Sequence, residues 1–314
     1  MASSAIYFGR KYRLTFEKKG EGTTVFEVED GKPAMDIKFD VTYARGQTAR
    51  EGTISILGLG HKTIHKFIKL AAMGRGLALN EHLRVKLEAG YFTEAGMVEI
   101  LNGFAFYATV TSPPQMWVTI KVSEYDPMSG LQIALPRDFT NKSMSWILET
   151  LCLSLTQYEG YTFDWEDKTQ EQLIYKDTDL KTVDFGDQSS LSQIMVKLNT
   201  CMTDKVQFVL SSTKSDDTRI IEGHDIAPDK VTNGVVPVDG NNGLLSVTGI
   251  DAVGGCVTTF LDGRYPDELC HLELKSKLNQ QANGKYYIIK KQYVGHFMGQ
   301  EWYTRYFCSA REKD

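Results

Sequence analysis

No run of the 314-residue chain approaches the roughly 18 consecutive apolar residues that a membrane-spanning helix requires. The opening MASSAIYFGRKYRLTF also lacks the apolar segment of a secretory signal. A chain neither embedded in a membrane nor exported through a signal peptide is therefore expected. Net charge is scarce too, since 35 Lys and Arg stand against 40 Asp and Glu, giving -5 and a pI near 5.8. That balance removes any general electrostatic case for gripping nucleic acid. The five cysteines (Cys152, Cys201, Cys256, Cys270, Cys308) are odd in number and show no CxxC spacing. Most fall inside apolar runs, where free cysteine acts as a small hydrophobe, so a reducing compartment is expected and a disulfide framework is not.

Catalytic signatures are equally thin. No G-x-S-x-G elbow and no calcium-loop pattern of alternating acids occurs. The segment ILGLGHKT runs strand, glycine turn, helix, yet His61 separates Gly60 from Lys62, which breaks the spacing of a phosphate-binding loop. His61 and His65 stand four apart, as two zinc ligands would, but no Glu lies between them and lysines flank both, so a solvated pair is expected. His82, His224 and His271 are isolated. The acids Asp164, Glu166 and Asp167 of DWEDKTQE, with Asp184 further on, suit a solvated acidic face better than a paired-carboxylate site. Cys152 and Cys201 fall on apolar helix stripes, poor places for a nucleophile. Neither an enzyme nor a cofactor-binding protein is expected.

What the sequence does contain is periodicity. From about residue 11 to 126 the dominant period is two: in LRVKLEAGY, Leu83, Val85, Leu87 and Ala89 alternate with Arg84, Lys86 and Glu88. Met116, Val118, Ile120 and Val122 do the same in PPQMWVTIKVSEYD. One amphipathic helix interrupts, with Ile64, Phe67, Ile68, Ala71 and Ala72 on its stripe, Lys62, Lys66 and Lys69 in solvent, and Gly74 and Gly76 at its end. Beyond residue 138 the period lengthens. A helix capped by Thr140 or Asn141 carries Met144, Ile147, Leu148, Leu151 and Leu155, ending near Gly160. A second helix carries Leu191, Ile194, Met195 and Leu198, and VQFVLSS with TRIIEG reads as a hairpin. Charge marks the same boundary. Residues 1 to 110 hold 15 basic and 12 acidic side chains (+3), residues 138 to 225 hold 8 and 16 (-8), and residues 226 to 314 hold 10 and 10 (0).

The Gly-, Pro- and Asn-rich segment from 226 to 243 reads as a loop or linker, after which the period of two returns. The expected fold is β-rich α+β: two β-barrel domains with an inserted small α+β domain, divided as 1–137, 138–225 and 226–314. In YYIIKKQYVGHFMGQEWYTRYF, a strand to Gly295, a turn at HFMGQ and a strand from Glu301 form a hairpin. Alternation puts Tyr287, Ile289 and Tyr293 on one face and Tyr286, Ile288 and Val294 on the other. Both faces then need cover, one from a barrel core and one from a neighbouring domain or subunit. His296 and Glu301 are positioned to bond across the turn.

Three passages carry a resemblance. ISILGLGHKTIHKF, LRVKLEAGYFTEAGMVEILNGFAF and GGCVTTFLDGRYPDELCHLELKSKLNQQANGKYYIIKKQYVGHFMGQEWYTRY are similar to the baseplate hub proteins of contractile-tailed bacteriophages. The matching positions are Ala89, Gly90, Tyr91 and Gly103, then Gly284, Tyr286, Ile288, His296, Trp302, Tyr303 and Thr304. Phe297 and Met298 depart from the polar turn residues usual in that family, and the linker matches loosely. The resemblance implies two tail-tube-like barrels per chain, assembled as a homotrimer into a pseudo-six-fold ring. That ring joins the tail tube protein to the central spike protein and surrounds the genome ejection channel, with DNA present only in transit. Baseplate wedge or sheath-proximal proteins and the tape measure protein are the further partners implied, in the virion tail baseplate, assembled in the host cytoplasm. Tyr91, Tyr287, Tyr293, Trp302 and Tyr303 are the expected barrel-closing or assembly residues. A tail-associated hydrolase using acids of the middle segment, and a tube or neck component of a phage-derived injection machine, are the alternatives.

Overall fold

The computed structural model describes residues 9–18, 20–29, 33–44, 50–72, 83–92, 96–124, 133–134, 142–156, 162–169, 172–176, 188–189, 191–201, 206–212, 218–225, 236–241, 243–249, 254–261 and 271–311. Among the described residues, seven strands come from the first β region: β1 (Arg10–Lys18), β2 (Gly22–Glu27), β3 (Ile37–Ala44), β4 (Glu51–Leu57), β5 (Arg84–Tyr91), β6 (Met97–Val110) and β7 (Trp117–Ser123). Their alternation follows the sequence. Val85, Leu87 and Ala89 are fully buried on β5, as are Val118, Ile120 and Val122 on β7. Helix α1 (His61–Ala72) follows β4 through Gly58, whose φ of +85° is open to glycine at no steric cost. It buries Ile64 and Phe67, and Phe67 stacks on Phe16 with ring centroids 4.4 Å apart. His61 and His65 are exposed, as expected. Ala71 and Ala72 close α1, though their side chains, together with Gly74 and Gly76, lie outside the described ones.

The middle segment builds a separate core, to which β6 contributes Phe104. Helices α2 (Met144–Thr156), α3 (Leu173–Lys176) and α4 (Leu191–Cys201) pack on a three-stranded sheet of β9 (Thr162–Asp167), β12 (Thr218–Asp225) and β11 (Val206–Ser212). A two-stranded ribbon of β8 (Ile133–Ala134) and β10 (Gln188–Ser189) accompanies them. Strands β11 and β12 are the expected hairpin, and β12 runs parallel to β9. The α2 stripe is buried throughout, with Cys152 added to it. Its cap is Ser143, whose Oγ accepts the Trp146 N–H at 3.3 Å. Thr140 and Asn141, the caps expected from sequence, lie outside the described residues, as does Gly160.

The last segment adds β13 (Val236–Asp239), β14 (Leu244–Thr248), β15 (Gly255–Phe260), β16 (His271–Lys275), β17 (Gly284–His296) and β18 (Trp302–Arg311). β13 corrects the loop reading of 226–243: four residues of it pair parallel to β16. Pro237 is tolerated there because β13 takes its one described partner on one side. Both β regions join in a single 13-stranded sheet, in the path β14-β15-β18-β17-β3-β4-β7-β6-β5-β1-β2, with β13 and β16 branching from β17. The seam is β17 against β3, antiparallel from Lys290 opposite Ala44 to His296 opposite Lys38.

Two apolar cores lie along this sheet. The first gathers residues of β1 and β3 to β7 with α1, and it includes Tyr293 of β17 and Trp302 of β18. The other holds Val238, Val257, Leu272, Leu274, Tyr286, Ile288, Tyr306 and Cys308. The hairpin β17–β18 therefore belongs to both.

Candidate functional surface

Strand β17 does not alternate evenly. Its pairing with β18 shifts register between Tyr286 and Ile288 and again between Ile288 and Lys290. Ile288 stands opposite Cys308, while Lys291 and Tyr293 stand opposite Tyr306 and Thr304. All of these side chains are buried, as is Trp302. The irregularity thus carries the apolar side across a change of parity, which a strict period of two misses. This corrects the expectation that both faces are apolar. One side, with Tyr286, Ile288, Lys291 and Tyr293, is buried by two cores in succession, while on the other Ile289 is 42% exposed and Val294 is buried at 8%.

The turn of this hairpin is held from two sides. The Arg10 guanidinium donates to the carbonyls of His296, Phe297, Gly299 and Gln300, four acceptors in one five-residue stretch. Asp36 accepts from the Met298 N–H at 3.0 Å and lies 3.0 Å from His296 Nε2. His296 is therefore paired with Asp36 and not with the Glu301 side chain. It meets Glu301 through backbone, its N–H donating to the Glu301 carbonyl. Trp302 is plugged in beneath. Its ring lies 5.3 Å from Phe39, edge to face, and its indole N–H donates to the Gly90 carbonyl at 3.2 Å. Two glycines make room. A Cβ on Gly90 would lie 2.0 Å from the Gly96 carbonyl oxygen, and one on Gly295 would lie 2.2 Å from the Phe39 ring.

The expected interface residues thus fall into different places. Tyr91, Tyr293 and Trp302 are buried. Tyr303 is partly exposed on the opposite side of β18, its hydroxyl accepting from Arg305 at 2.8 Å. Tyr287 lies on β17, and its side chain is outside the described ones.

Tyr303 belongs to a polar face that sequence reading did not single out. Cross-strand register lines up Tyr107, Lys121, Thr53, Asp40, Val294 and Tyr303 in one row over β6, β7, β4, β3, β17 and β18. Thr119, Ser55, Lys38 and His296 form a second row, and Glu51, Thr42, Gln292, Arg305 and Thr258 a third. The cations are held on aromatic rings: Lys38 Nζ is 4.2 Å from the Trp117 centroid, Lys121 5.6 Å from Tyr107, Lys290 5.1 Å from Phe307, and the Arg305 guanidinium 4.8 Å from Tyr303. Gln292 donates to Asp40 at 2.8 Å, and Ser55 and Thr119 share a hydrogen bond of 2.8 Å. A shallow groove of about 240 Å³ runs between Lys38, Asp40, Ser55, Glu301, Tyr303 and Arg305. The signal for this face was present in the sequence as the polar halves of alternating strands, but pairing order was needed to join them.

The acids of the middle segment do not converge. Asp164 and Glu166 are exposed on β9, while Asp167 accepts the Thr169 and Ile174 backbone N–H groups and so staples the loop before α3. Glu166 and the buried Glu222 share Lys168, at 3.8 and 2.8 Å. Asp184 lies outside the described residues. Among the described residues no three His, Cys, Asp or Glu side chains cluster as metal ligands. Cys152 is inert as a nucleophile, because burial pushes its thiol up to about 12.

No protein-family model matches the chain, and no curated protein matches it in sequence. Solved structures do match its fold. The 43 kDa tail protein of prophage MuSo2 from Shewanella oneidensis is 7% identical, with a TM-score of 0.55 over 95% of this chain and 96% of that one. The Escherichia coli c3393 protein, described as a type VI secretion component similar in structure to the T4 bacteriophage tail proteins gp27 and gp5, is 9% identical. Its TM-score is 0.51, over 95% and 77% of the two chains. A chain of the Francisella PdpA–VgrG complex is 8% identical, with a TM-score of 0.56 over 98% of this chain and 60% of that one. This chain shares the fold of these phage tail and type VI secretion proteins, among them one described as similar to the T4 tail proteins gp27 and gp5.

Proposed function

We propose that the protein is a structural hub of a phage-type tail baseplate, in which three copies form a pseudo-six-fold ring between tail tube and central spike, around the channel through which the genome leaves. Each chain supplies two tube-like units, residues 1–137 and 226–314, and 138–225 is an accessory domain. The polar face across β6, β7, β4, β3, β17, β18 and β15 carries this reading. One sheet, packed by two cores on one side, presents a broad hydroxyl-rich surface of mixed charge on the other. Such a surface suits a channel wall. Its lysines and arginine lie on aromatic rings and share the face with the acids Asp40, Glu51 and Glu301, so they offer little continuous grip to a polyanion, and DNA passes without being retained.

Reconstruction of the purified chain by electron microscopy tests the proposal. The expected particle is a six-lobed trimer with Lys38, Lys121 and Arg305 on its inner wall. A chain that stays monomeric in the presence of its tube and spike partners overturns the hub reading. A ring with this face turned outward overturns only the assignment of the channel wall.

A further inference from the structure

The solvent face of α1 carries one sign of charge. His61, Lys62, His65, Lys66 and Lys69 are all exposed, and the helix contains no acid. Such a face is costly in an isolated chain. Lys62 and Lys66 stand four apart, where like charges repel, and cations in a first turn oppose the helix dipole. One ion pair relieves it, Lys66 to Glu21 at 3.5 Å on the surface. Among the described residues Lys62 and Lys69 have no carboxylate partner.

The opposite charge sits on the middle segment. Thr162, Asp164 and Glu166 are exposed on the side of β9 turned away from the buried Phe163. Lys168 serves Glu222 and Glu166, while Asp164 accepts a hydrogen bond from the neighbouring Trp165 N–H at 2.8 Å. Within one chain α1 packs on β6, whereas β9 packs under α2. The two charged faces thus belong to different packing units of the molecule.

We infer that α1 docks on the β9 face of a second copy, so that each protomer offers a cationic face to one neighbour and an acidic face to the other. A contact between two different surfaces repeats head to tail and closes into a ring when the rotation allows. This inference rests on the ring proposed above and names the charges that set its register. Complementary charge of this kind acts mainly on encounter rate and on choice of partner.

The test is a charge swap read by sedimentation and native mass spectrometry of the full chain. Lys62→Glu with Lys69→Glu, and separately Asp164→Lys with Glu166→Lys, are expected to weaken self-association by about tenfold or more at low salt. The four substitutions together are expected to restore it. At 1 M salt, where the Debye length is about 3 Å, the differences should vanish. All four positions are exposed, and circular dichroism confirms that each variant folds. Reversals that leave association unchanged, or a four-fold variant that fails to recover, overturn the docking while the ring stands. A wild-type chain that never associates removes the ring and the docking together.

Discussion

The tip and the base of the hairpin β17–β18 are built from the same two strands and meet different surroundings. At the tip, Tyr293 and Trp302 enter the first core, and the turn is gripped by Arg10 and Asp36 from β1 and the segment leading into β3. At the base, Tyr286, Ile288, Tyr306 and Cys308 build the second core with residues of β13, β15 and β16. The tip is thus secured by long-range contacts to the start of the chain, and the base by neighbours near in sequence. A hairpin shared in this way ties two β regions, separated by the whole middle segment, into one sheet.

The largest blow to that arrangement is expected from Trp302→Ala. It removes an aromatic plug that is 3% exposed, opens a cavity and strips the Gly90 carbonyl of its donor. A loss of about 3–5 kcal/mol is expected from urea unfolding. Unchanged stability and unchanged assembly would show that the tip is not a structural plug.

High pH is expected to strike the tip's core next. Burial raises the Tyr12 hydroxyl from 10 to about 12, and the nearby Asp36 adds to the shift. The folded state therefore holds the proton more tightly than the unfolded one. The stabilisation is complete below pH 10 and is lost as pH rises from 10 through 12, on the order of 2 kcal/mol in all. Alkaline titration of stability should show this fall, and Tyr12→Phe should remove it. A titration curve indifferent to that substitution would assign the alkaline loss elsewhere.

Smaller effects separate the clamp from the plug. Arg10→Met keeps the aliphatic stem and deletes the donors to four carbonyls, for an expected cost of about 1–2 kcal/mol at this partly exposed site. Hydrogen exchange should quicken at Met298 and Gly299 and stay unchanged at Ile288. Faster exchange at both ends would mean that Arg10 supports the whole hairpin.

These contacts also mark which features were legible in the sequence. Strands β5 and β7 and helices α1 and α2 were legible, because each packs one face against one core and keeps a clean period. Strand β13 was not, since Pro237 and the surrounding Gly and Asn give the composition of a loop, and its pairing with β16 is a tertiary fact. The faces of β17 do not follow a strict period of two, because its bulges change parity between Ile288 and Lys291 and leave no mark in residue type. Proximity in sequence pairs His296 with Glu301, whereas its partner Asp36 lies 260 positions away. The polar face was invisible for the same reason: its rows run across strands whose order only folding sets.

The finest test uses a matched pair of bonds. Tyr12 donates its hydroxyl proton to the Met35 carbonyl in the first core, and Tyr286 donates to the Ala282 carbonyl in the second, each at 2.7 Å. Both rings are fully buried. Phenylalanine at either site deletes one hydrogen bond and leaves the ring, so each substitution should cost about 1 kcal/mol. What differs is where the cost is felt. If the shared hairpin welds the cores into one cooperative unit, both variants lower the same unfolding transition, and their effects add in the double variant, because the sites share no partner among the described residues. If the seam between β17 and β3 opens first, Tyr286→Phe lowers one transition and Tyr12→Phe another, and scanning calorimetry resolves two peaks that move independently. A single peak moved equally by both variants would show that the hairpin, and not either core alone, is the unit of folding.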